Sequence, residues 1–195
     1  DIGGTYIKIG IISTDWETIK ICKFPTGNNP MEKIIEEIDS ICNEFKIKGI
    51  GVGIAGLVDK EGNVIKAANI PFLNKFPLKK ELENRYNMNV KIENDATVAT
   101  VAEALFGQGK GSFSFILLTL GTGIGGGFWF DGEIAQFPLE VGHMSINYQG
   151  KFCNCGNTGC LEVYASARAI KDNLIERVEN GEESYIKKLY EGNIY

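Results

Sequence analysis

The pattern of apolar and polar positions predicts strands before helices in the first half of the chain. Residues 6–12 alternate loosely and residues 18–24 alternate strictly, so both predict strands that form a hairpin at Asp15-Trp16. Apolar residues at helical spacing after Pro30 predict a first helix that ends before Gly49. The remaining pattern predicts a buried strand over 49–55, a helix over 77–86, a strand over 89–93 and a helix over 96–106.

The second half repeats the order of strands before helices. Residues 114–120 and 125–130 predict strands, and the second strand turns at Asp131-Gly132, a favoured hairpin dipeptide. Residues 161–178 predict a helix.

A glycine-rich segment separates these two halves. Residues 107–111 (Gly-Gln-Gly-Lys-Gly) show no hydrophobic period, which predicts a hinge or domain boundary. The sequence therefore predicts two α/β domains, an N-terminal one over 1–111 and the start of a C-terminal one over 112–195.

Composition narrows the possible classes of protein. With 44% hydrophobic and 23% charged residues, the 195-residue chain can build a packed core, which excludes intrinsic disorder. No apolar stretch reaches the roughly 20 residues that cross a bilayer, so we expect no membrane partner. A net charge of −5 supplies no broad cationic face, so we expect no nucleic-acid partner.

The cysteines indicate a metal site in a reducing compartment. Cys22 and Cys42 are isolated, whereas three of the five cysteines fall within residues 153–160. A disulfide framework would spread and pair its cysteines, so the uneven, odd set favours a metal cluster and a cytoplasmic location.

Three glycine-rich turns adjoin predicted strands, at residues 1–5, 53–56 and 121–127. Consecutive backbone N–H groups in such turns can bind phosphate oxygens, and glycine permits the close approach. The third turn also matches the dinucleotide-binding string Gly-x-Gly-x-x-Gly. That fingerprint must open a helix. Here a strand is predicted to follow, so we reject a dinucleotide-binding fold.

Two aspartates stand beside these elements. Asp1 adjoins the first glycine turn, where a carboxylate suits a hydrated Mg²⁺. Asp95 follows a predicted strand and opens a predicted helix. From this segment alone, Asn94 or Asp95 acting simply as the helix N-cap is the favoured interpretation.

One histidine and three cysteines form the sharpest chemical signal. His143, the single histidine, precedes Cys153, Cys155 and Cys160, and three thiolates with one imidazole make a closed tetrahedral zinc site of the structural type. The alternative is a loop of buried or free thiols. Two glutamates flank these residues, at positions 140 and 162, and a zinc-held loop could fix both carboxylates against one small polar ligand. The alternative for them is surface solvation.

These motifs resemble the ROK family of sugar kinases and repressors, within the actin-like ATPase superfamily. The segments Asp-Ile-Gly-Gly-Thr (1–5) and Leu-Gly-Thr-Gly-Ile-Gly-Gly-Gly (120–127) are similar to its two phosphate motifs. Glu-Asn-Asp-Ala (93–96) matches its segment with the catalytic aspartate. Glu-Val-Gly-His (140–143) and the Cys-x-Cys-Gly-x-x-Gly-Cys-Leu-Glu run (153–162) match its sugar-and-zinc signature.

The resemblance implies an α/β fold of two ribonuclease-H-like (actin-like ATPase) domains with an interdomain cleft. It also implies that the chain is a fragment that lacks its C-terminal, adenosine-binding part. The implied activity is ATP-dependent phosphorylation of a hexose, glucose first, with Mg²⁺ and a structural Zn²⁺. The implied partners are the sugar, ATP and further copies in a homodimer or homotetramer.

The resemblance also implies roles for individual residues. Asp95 would be the general base on the attacking sugar hydroxyl. The implied sugar-binding residues are Gly56, Asn69, Asn94, Asp95, Glu140, His143 and Glu162. The implied nucleotide-binding residues are Asp1, Gly3, Gly4, Thr5, Gly121, Thr122 and Gly123. The implied zinc ligands are His143, Cys153, Cys155 and Cys160.

Other functions remain open at this point. A ROK repressor would sense a sugar and bind DNA, but repressors need neither phosphate turns nor a base, so their presence here favours a kinase. A sugar-binding zinc module without catalysis is a second alternative. Kinases for N-acetylmannosamine, N-acetylglucosamine, fructose and allose share the same motifs.

Overall fold

The computed structural model describes residues 1–67, 70–135, 137 and 139–183. The chain divides into two compact units, Asp1–Ala102 and Glu103–Tyr195. The division falls within a helix and upstream of the glycine segment at 107–111, and the boundary after residue 111 stays a prediction.

The first unit alternates strands and helices. Its strands are β1 (Tyr6–Ile12), β2 (Thr18–Pro25), β3 (Gly49–Ile54), β4 (Leu57–Val58), β5 (Val64–Lys66) and β6 (Asn89–Asn94). Its helices are α1 (Met31–Glu44), α2 (Leu78–Tyr86) and α3 (Asp95–Phe106), with a 3-10 turn at Pro71–Leu73. Strands β1 and β2 pair antiparallel, β3 and β6 pair parallel, and β4 pairs with β5.

The parallel pair β3–β6 positions the predicted chemistry of this unit. Gly53 lies opposite Glu93 and Ile54 lies opposite Asn94, so both strands end at the same edge. The glycine turn after β3 and the start of α3 after β6 therefore emerge side by side. Ligands of open α/β sheets bind at such carboxyl ends of parallel strands.

A continuous apolar core holds this unit together. Helix α1 begins after Pro30 and buries Ile34 and Ile38, while Leu73 and Leu78 are fully buried. The other members of the buried cluster are Ile2, Ile7, Phe24, Ile54, Val64, Ala67, Ile70, Leu82, Val90 and Ile92.

Strand β3 is less buried than its sequence predicts. Gly49 and Gly51 are exposed and Ile54 alone in the strand is fully buried. A cavity of about 400 Å³ adjoins β3, lined also by β1 and α1. The expectation of a buried strand was therefore wrong at Gly49 and Gly51, which are exposed beside this cavity.

The second unit contains a three-stranded antiparallel sheet in the order β7–β8–β9. The strands are β7 (Ser114–Leu120), β8 (Ile124–Phe130) and β9 (Glu133–Ile134). The predicted turn between β8 and β9 is confirmed, with positive φ angles of 49° at Asp131 and 82° at Gly132.

The helix predicted over 161–178 is wrong as one continuous element. It is two helices, α4 (Glu162–Ala165) and α5 (Ala167–Glu179), separated at Ser166. Ser166 adopts an extended conformation and its Oγ accepts a hydrogen bond from the backbone N–H of Ala169 at 3.1 Å. A serine N-cap satisfies a free helical N–H in this way, so the chain restarts a helix there.

One glycine of the predicted hinge, Gly109, has a packing reason. A Cβ at Gly109 would lie 2.5 Å from the ring of Phe115. The aromatic ring therefore excludes any side chain at this position, and hinge motion at 107–111 stays a prediction.

Apolar burial is sparse in the described part of the second unit. Its buried hydrophobic residues are Ala104, Ile124, Cys153 and Cys160. In strand β7, alternate residues such as Ile116 and Leu118 are exposed. Within the described ranges, no helix of either unit is long and apolar enough to span a bilayer.

Candidate functional site

The first glycine turn is fixed from two sides within the first unit. Ile2 bridges both β1, at Ile7, and β3, at Ile54. The hydroxyl of the buried Thr26 donates to the carbonyl of Gly3 at 2.6 Å. Gly4 and Thr5 are exposed, so the turn presents its outer residues to solvent. The backbone of this turn is therefore pre-organised.

The Asp1 carboxylate lies beside this turn and pairs with Lys8, at 3.4 Å from Nζ. Both side chains are about half exposed, at 46% and 54%. An exposed ion pair of this kind contributes little to stability. The carboxylate can therefore exchange its lysine partner for a hydrated cation at small cost.

Asn94 caps helix α3 and holds the turn after β3. Its Oδ1 accepts from the backbone N–H of Thr97 at 3.0 Å, and its Nδ2 donates to the carbonyl of Gly56 at 3.0 Å. Gly56 also has a packing reason, because a Cβ there would lie 2.7 Å from the carbonyl oxygen of Lys66. The cap interpretation therefore applies to Asn94.

Asp95 is not needed as the cap, because Asn94 already serves that role. Its Oδ1 accepts a hydrogen bond from the adjacent N–H of Ala96 at 2.8 Å. Burial raises the pKa of the Asp95 carboxyl above its usual range. A half-buried carboxylate with a raised pKa at the edge of a parallel sheet is a candidate general base. Asn69, predicted beside it, lies outside the described residues.

The glycine turn of the second unit is the tip of a hairpin. Strands β7 and β8 pair antiparallel up to Leu120 and Ile124, and the N–H of Gly121 donates to the carbonyl of Gly123 at 3.0 Å. Gly121 and Thr122 are exposed. A strand and no helix follows this turn, which confirms the rejection of a dinucleotide-binding fold.

The structure brings the four predicted metal ligands together. The donor atoms of His143, Cys153, Cys155 and Cys160 all lie within 4.8 Å of one another. The Sγ atoms of Cys155 and Cys160 are 3.7 Å apart, and Cys153 Sγ is 3.8 Å from His143 Nδ1. Zinc–sulfur bonds of about 2.3 Å place two ligands of a tetrahedron about 3.8 Å apart. The cluster therefore has the dimensions of a zinc site.

The electrostatics of the cluster also call for a cation. Burial raises the pKa values of the Cys153 and Cys160 thiols. A hydrogen bond from the backbone N–H of Asn157 lowers the pKa of the exposed Cys155. Thiolates are the ligand form, so a bound divalent ion would offset the cost of ionising two buried thiols. The donor set fits Zn²⁺.

The two ring nitrogens of His143 face different partners. Nδ1 faces the sulfur of Cys153, whereas Nε2 lies 3.9 Å from Oε2 of the exposed Glu140. A metal on Nδ1 therefore leaves Nε2 available to a carboxylate or a hydroxyl ligand. Gly142 makes this placement possible, because a Cβ there would lie within 2.2 Å of the carbonyl oxygen of Ile124.

Glu162 opens α4 and lies against the cluster. Its side chain is 20% exposed, and Oε1 lies 3.4 Å from His143 Nδ1. The structure thus gathers two of the predicted sugar-binding carboxylates, Glu140 and Glu162, around one imidazole.

The sequence analysis did not predict two contacts that the structure shows. Thr26 fixes the first glycine turn, and nothing in its sequence neighbourhood distinguishes it from an ordinary loop threonine. The contact between Glu162 and the hairpin turn joins residues 38 positions apart, and the only available signal was the short spacing of Glu162 from Cys160.

Comparison with known proteins identifies a matching family model and two similar proteins. The ROK family model matches residues 1–194. The chain is 34% identical over 199 residues to a glucokinase of Thermotoga maritima, covering 97% of this chain and 63% of that protein. It is 38% identical over 146 residues to a xylose repressor of Caldicellulosiruptor bescii, covering 72% of this chain and 36% of that protein.

A solved structure shows the same architecture. The crystal structure of a ROK family glucokinase from Streptomyces griseus, in complex with glucose and AMPPNP, matches with a TM-score of 0.83 and 31% sequence identity. The match covers 99% of this chain and 65% of that chain.

Fold and site together define an α/β protein of the actin-like ATPase type with a Cys/His loop, as predicted. The chain belongs to the ROK family. It spans less than two thirds of the length of the glucokinases that it matches, at 63% and 65%.

Proposed function

We propose that the whole protein is an ATP-dependent kinase that phosphorylates a hexose, with glucose as the first candidate. The observation that carries this proposal is the half-buried carboxylate of Asp95. It is not needed as the N-cap of α3, because Asn94 is the N-cap. Glucokinases of the same family support the choice of sugar.

Asp95 is proposed to accept the proton of the attacking sugar hydroxyl. Burial raises the pKa of this carboxyl, which makes it a stronger base than an exposed aspartate. Asn94 and the Gly56 turn are proposed to orient the hydroxyl, together with Asn69. The parallel strands β3 and β6 provide the rigid base that such orientation requires.

Four side chains are proposed to bind the remaining sugar hydroxyls: Asn94, Glu140, His143 and Glu162. The two carboxylates accept hydrogen bonds from sugar hydroxyls, and Nε2 of His143, which carries the ring proton when Nδ1 binds zinc, donates one to a hydroxyl oxygen. A site built from such groups rejects analogues that lack the hydroxyl, because its polar groups are then left unpaired.

The glycine turns are proposed to bind ATP with Mg²⁺. Asp1, Gly3, Gly4 and Thr5 form one turn, and Gly121, Thr122 and Gly123 form the other. When bound, Mg²⁺ supplies charge neutralisation of the phosphoryl group during transfer. This chain contributes oriented N–H groups and the Asp1 carboxylate beside them.

Zn²⁺ is proposed to be structural, held by His143, Cys153, Cys155 and Cys160. Four protein ligands leave no open position for an activated water, so the ion fixes the loop and performs no hydrolysis. None of the five cysteines, all within the described residues, forms a disulfide, which supports the proposal of a reducing, cytoplasmic compartment. We also propose a homo-oligomer, a dimer or tetramer, which native mass spectrometry tests.

The second candidate is a sugar-responsive repressor. The 38% identity to a xylose repressor over 146 residues favours it. Two retained glycine turns and Asp95 favour the kinase, since a repressor needs neither. Sugar-dependent ADP release separates the two, because only the kinase produces it.

The test is Asp95→Asn in the whole protein, assayed by ADP release with glucose, N-acetylglucosamine, N-acetylmannosamine, fructose and allose. Turnover should fall by about 10²–10⁴-fold while sugar affinity stays within a few-fold. Thermal stability should stay equal or rise. A carboxyl whose pKa is raised on folding disfavours the folded state once the pH exceeds its unfolded pKa, and asparagine removes that cost.

The matched control is Asp15→Asn in the exposed turn between β1 and β2, which should leave turnover unchanged. Turnover of Asp95→Asn within a few-fold of the wild type would reduce Asp95 to a structural residue. Absence of ADP release with every sugar would favour the repressor.

A further inference from the structure

The two carboxylate oxygens of Glu162 face two different parts of the second unit. Oε1 lies 3.2 Å from Cys153 Sγ and 3.4 Å from His143 Nδ1, within the Cys/His cluster. Oε2 accepts the backbone N–H of Ile124 at 3.4 Å, at the end of the hairpin turn. One side chain thus spans the cluster and the turn.

The same oxygen of Glu162 also lies close to Gly123. A Cβ at Gly123 would lie 2.5 Å from Oε2 of Glu162, whereas a Cβ at Gly121 would meet nothing within 4 Å. Gly123 has no positive φ that would demand glycine. A methyl group at position 123 would therefore displace the Glu162 carboxylate, whereas a methyl group at position 121 would leave it in place.

We propose that Glu162 is a positioning residue that fixes the hairpin turn at 121–124 to the Cys/His loop. This role adds to any contact with a sugar hydroxyl, and it rests on the proposed function in that the turn binds phosphate. The turn contains Gly121 and Gly123, so left alone it has many conformations to lose when a ligand binds. Holding its backbone in advance lowers that cost and raises nucleotide affinity.

The linkage gives the Cys/His loop a second task. The same loop that orients His143 and Glu140 also sets the backbone of the turn through Glu162. A substitution that disrupts the loop should therefore lower the affinity for nucleotide as well as the affinity for sugar.

A double-mutant cycle on the whole protein tests the proposal. Gly123→Ala places a methyl group against the flexible end of Glu162, so the carboxylate should move and the metal ligands should stay intact. Glu162→Ala removes the carboxylate directly. Each single variant should weaken the affinity for a non-hydrolysable ATP analogue about 5–10-fold by calorimetry, in keeping with the net contribution of one ordinary hydrogen bond. The double variant should be no weaker than either single variant.

Two further substitutions and a metal analysis make the test specific. Gly121→Ala is the matched control, since its methyl group meets no part of Glu162. In the Glu162→Ala background it should cost as much as in the wild type. Glu162→Gln keeps an oxygen that can accept from Ile124, so it should retain most of the affinity that Glu162→Ala loses. Zinc content by metal analysis should stay at one per chain in Gly123→Ala.

Hydrogen exchange of the amides of residues 121–124 gives a readout without nucleotide, and it should be faster in both Glu162→Ala and Gly123→Ala. Faster exchange in a protein that binds no ATP analogue would support the positioning role and defeat the proposed function. Unchanged exchange together with additive effects of Gly123→Ala and Glu162→Ala would overturn the positioning role and leave the kinase proposal intact.

Discussion

The two units of this chain are stabilised in different ways. In Asp1–Ala102, one continuous apolar cluster packs helices α1 and α2 against the strands. In the described part of the second unit, buried apolar side chains are few, and two of them are the metal-ligand candidates Cys153 and Cys160. In the described residues, hydrophobic burial therefore holds the first unit together, and we expect the cysteine loop to contribute most to the second.

This difference bears on how each unit holds its functional side chains. Asp95 opens a helix that follows a core strand, so burial of residues such as Val90 and Ile92 fixes its backbone. His143 and Glu162 instead flank a loop with two positive-φ glycines, Gly156 and Gly159. Such a loop needs cross-links to keep one conformation.

Metal removal should give the largest effect and should act on one unit alone. Binding of a structural zinc to Cys and His ligands contributes on the order of 10 kcal/mol. We expect Cys155→Ser, or chelation of the wild type, to abolish zinc binding and to expose the amides of residues 140–165 to hydrogen exchange. Exchange across α1 and β6 should not change. Sugar and nucleotide affinities should both fall.

Cys22→Ser is the control, because Cys22 lies in β2 away from the cluster in sequence and belongs to the first unit. Its zinc content and exchange pattern should match the wild type. Loss of protection across both units in Cys155→Ser would show that the two units are not stabilised separately.

Core truncation should give the next largest effect, and in the first unit. Leu73 is fully buried, at 0% exposure, so Leu73→Ala should lower the free energy of unfolding by about 2–5 kcal/mol. Leu118→Ala is the matched control in the second unit, where the side chain is 48% exposed. It should change the free energy of unfolding by about 0.5 kcal/mol or less.

Urea unfolding followed by far-ultraviolet circular dichroism measures both variants. Equal losses for Leu73→Ala and Leu118→Ala would mean that the β7 face is covered in the protein in solution. The contrast between the two units would then be weaker than their burial indicates.

Much of the fold could be predicted because its signals are local. Strands β1, β2 and β7 and helices α1 to α3 follow from hydrophobic period, Pro30 and the hairpin dipeptides. The short strands β4 and β5 escaped prediction, because two or three residues carry no period. The break at Ser166 was missed because apolar spacing continues across it, and only the cap hydrogen bond reveals it.

The candidate site, too, could be predicted only where its signals are local in the sequence. The four metal donors could be predicted from their residue types and their spacing in the sequence. The structure brings these four side chains together. Which of Asn94 and Asp95 caps α3 could not be predicted, because both side chains can reach the free N–H groups. The contact of Glu162 with Ile124 depends on how α4 meets the hairpin, which no local pattern encodes.

The smallest effect should come from an exposed ion pair that joins α1 to α2. Asp39 accepts from Arg85 Nη2 at 2.7 Å and from the Tyr86 hydroxyl at 2.9 Å. These hydrogen bonds lower the pKa of the Asp39 carboxyl, and the hydrogen bond from Arg85 has the larger effect. Its stabilising contribution is therefore present above the unfolded pKa of about 3.9 and is lost as the pH falls through the lower folded value.

Arg85→Ala should accordingly lower the urea midpoint slightly at pH 7, by less than Leu73→Ala does. The difference from the wild type should shrink as the pH falls below about 3.9, because a protonated Asp39 no longer attracts the guanidinium. Asp39→Asn is the control. In the Asp39→Asn background, Arg85→Ala should lower the urea midpoint by the same small amount at pH 7 and below about pH 3.9. A difference between Arg85→Ala and the wild type that stays constant with pH would show that Arg85 acts by packing on Tyr86, whose ring lies 5.8 Å from the guanidinium carbon, and not through the charge of Asp39.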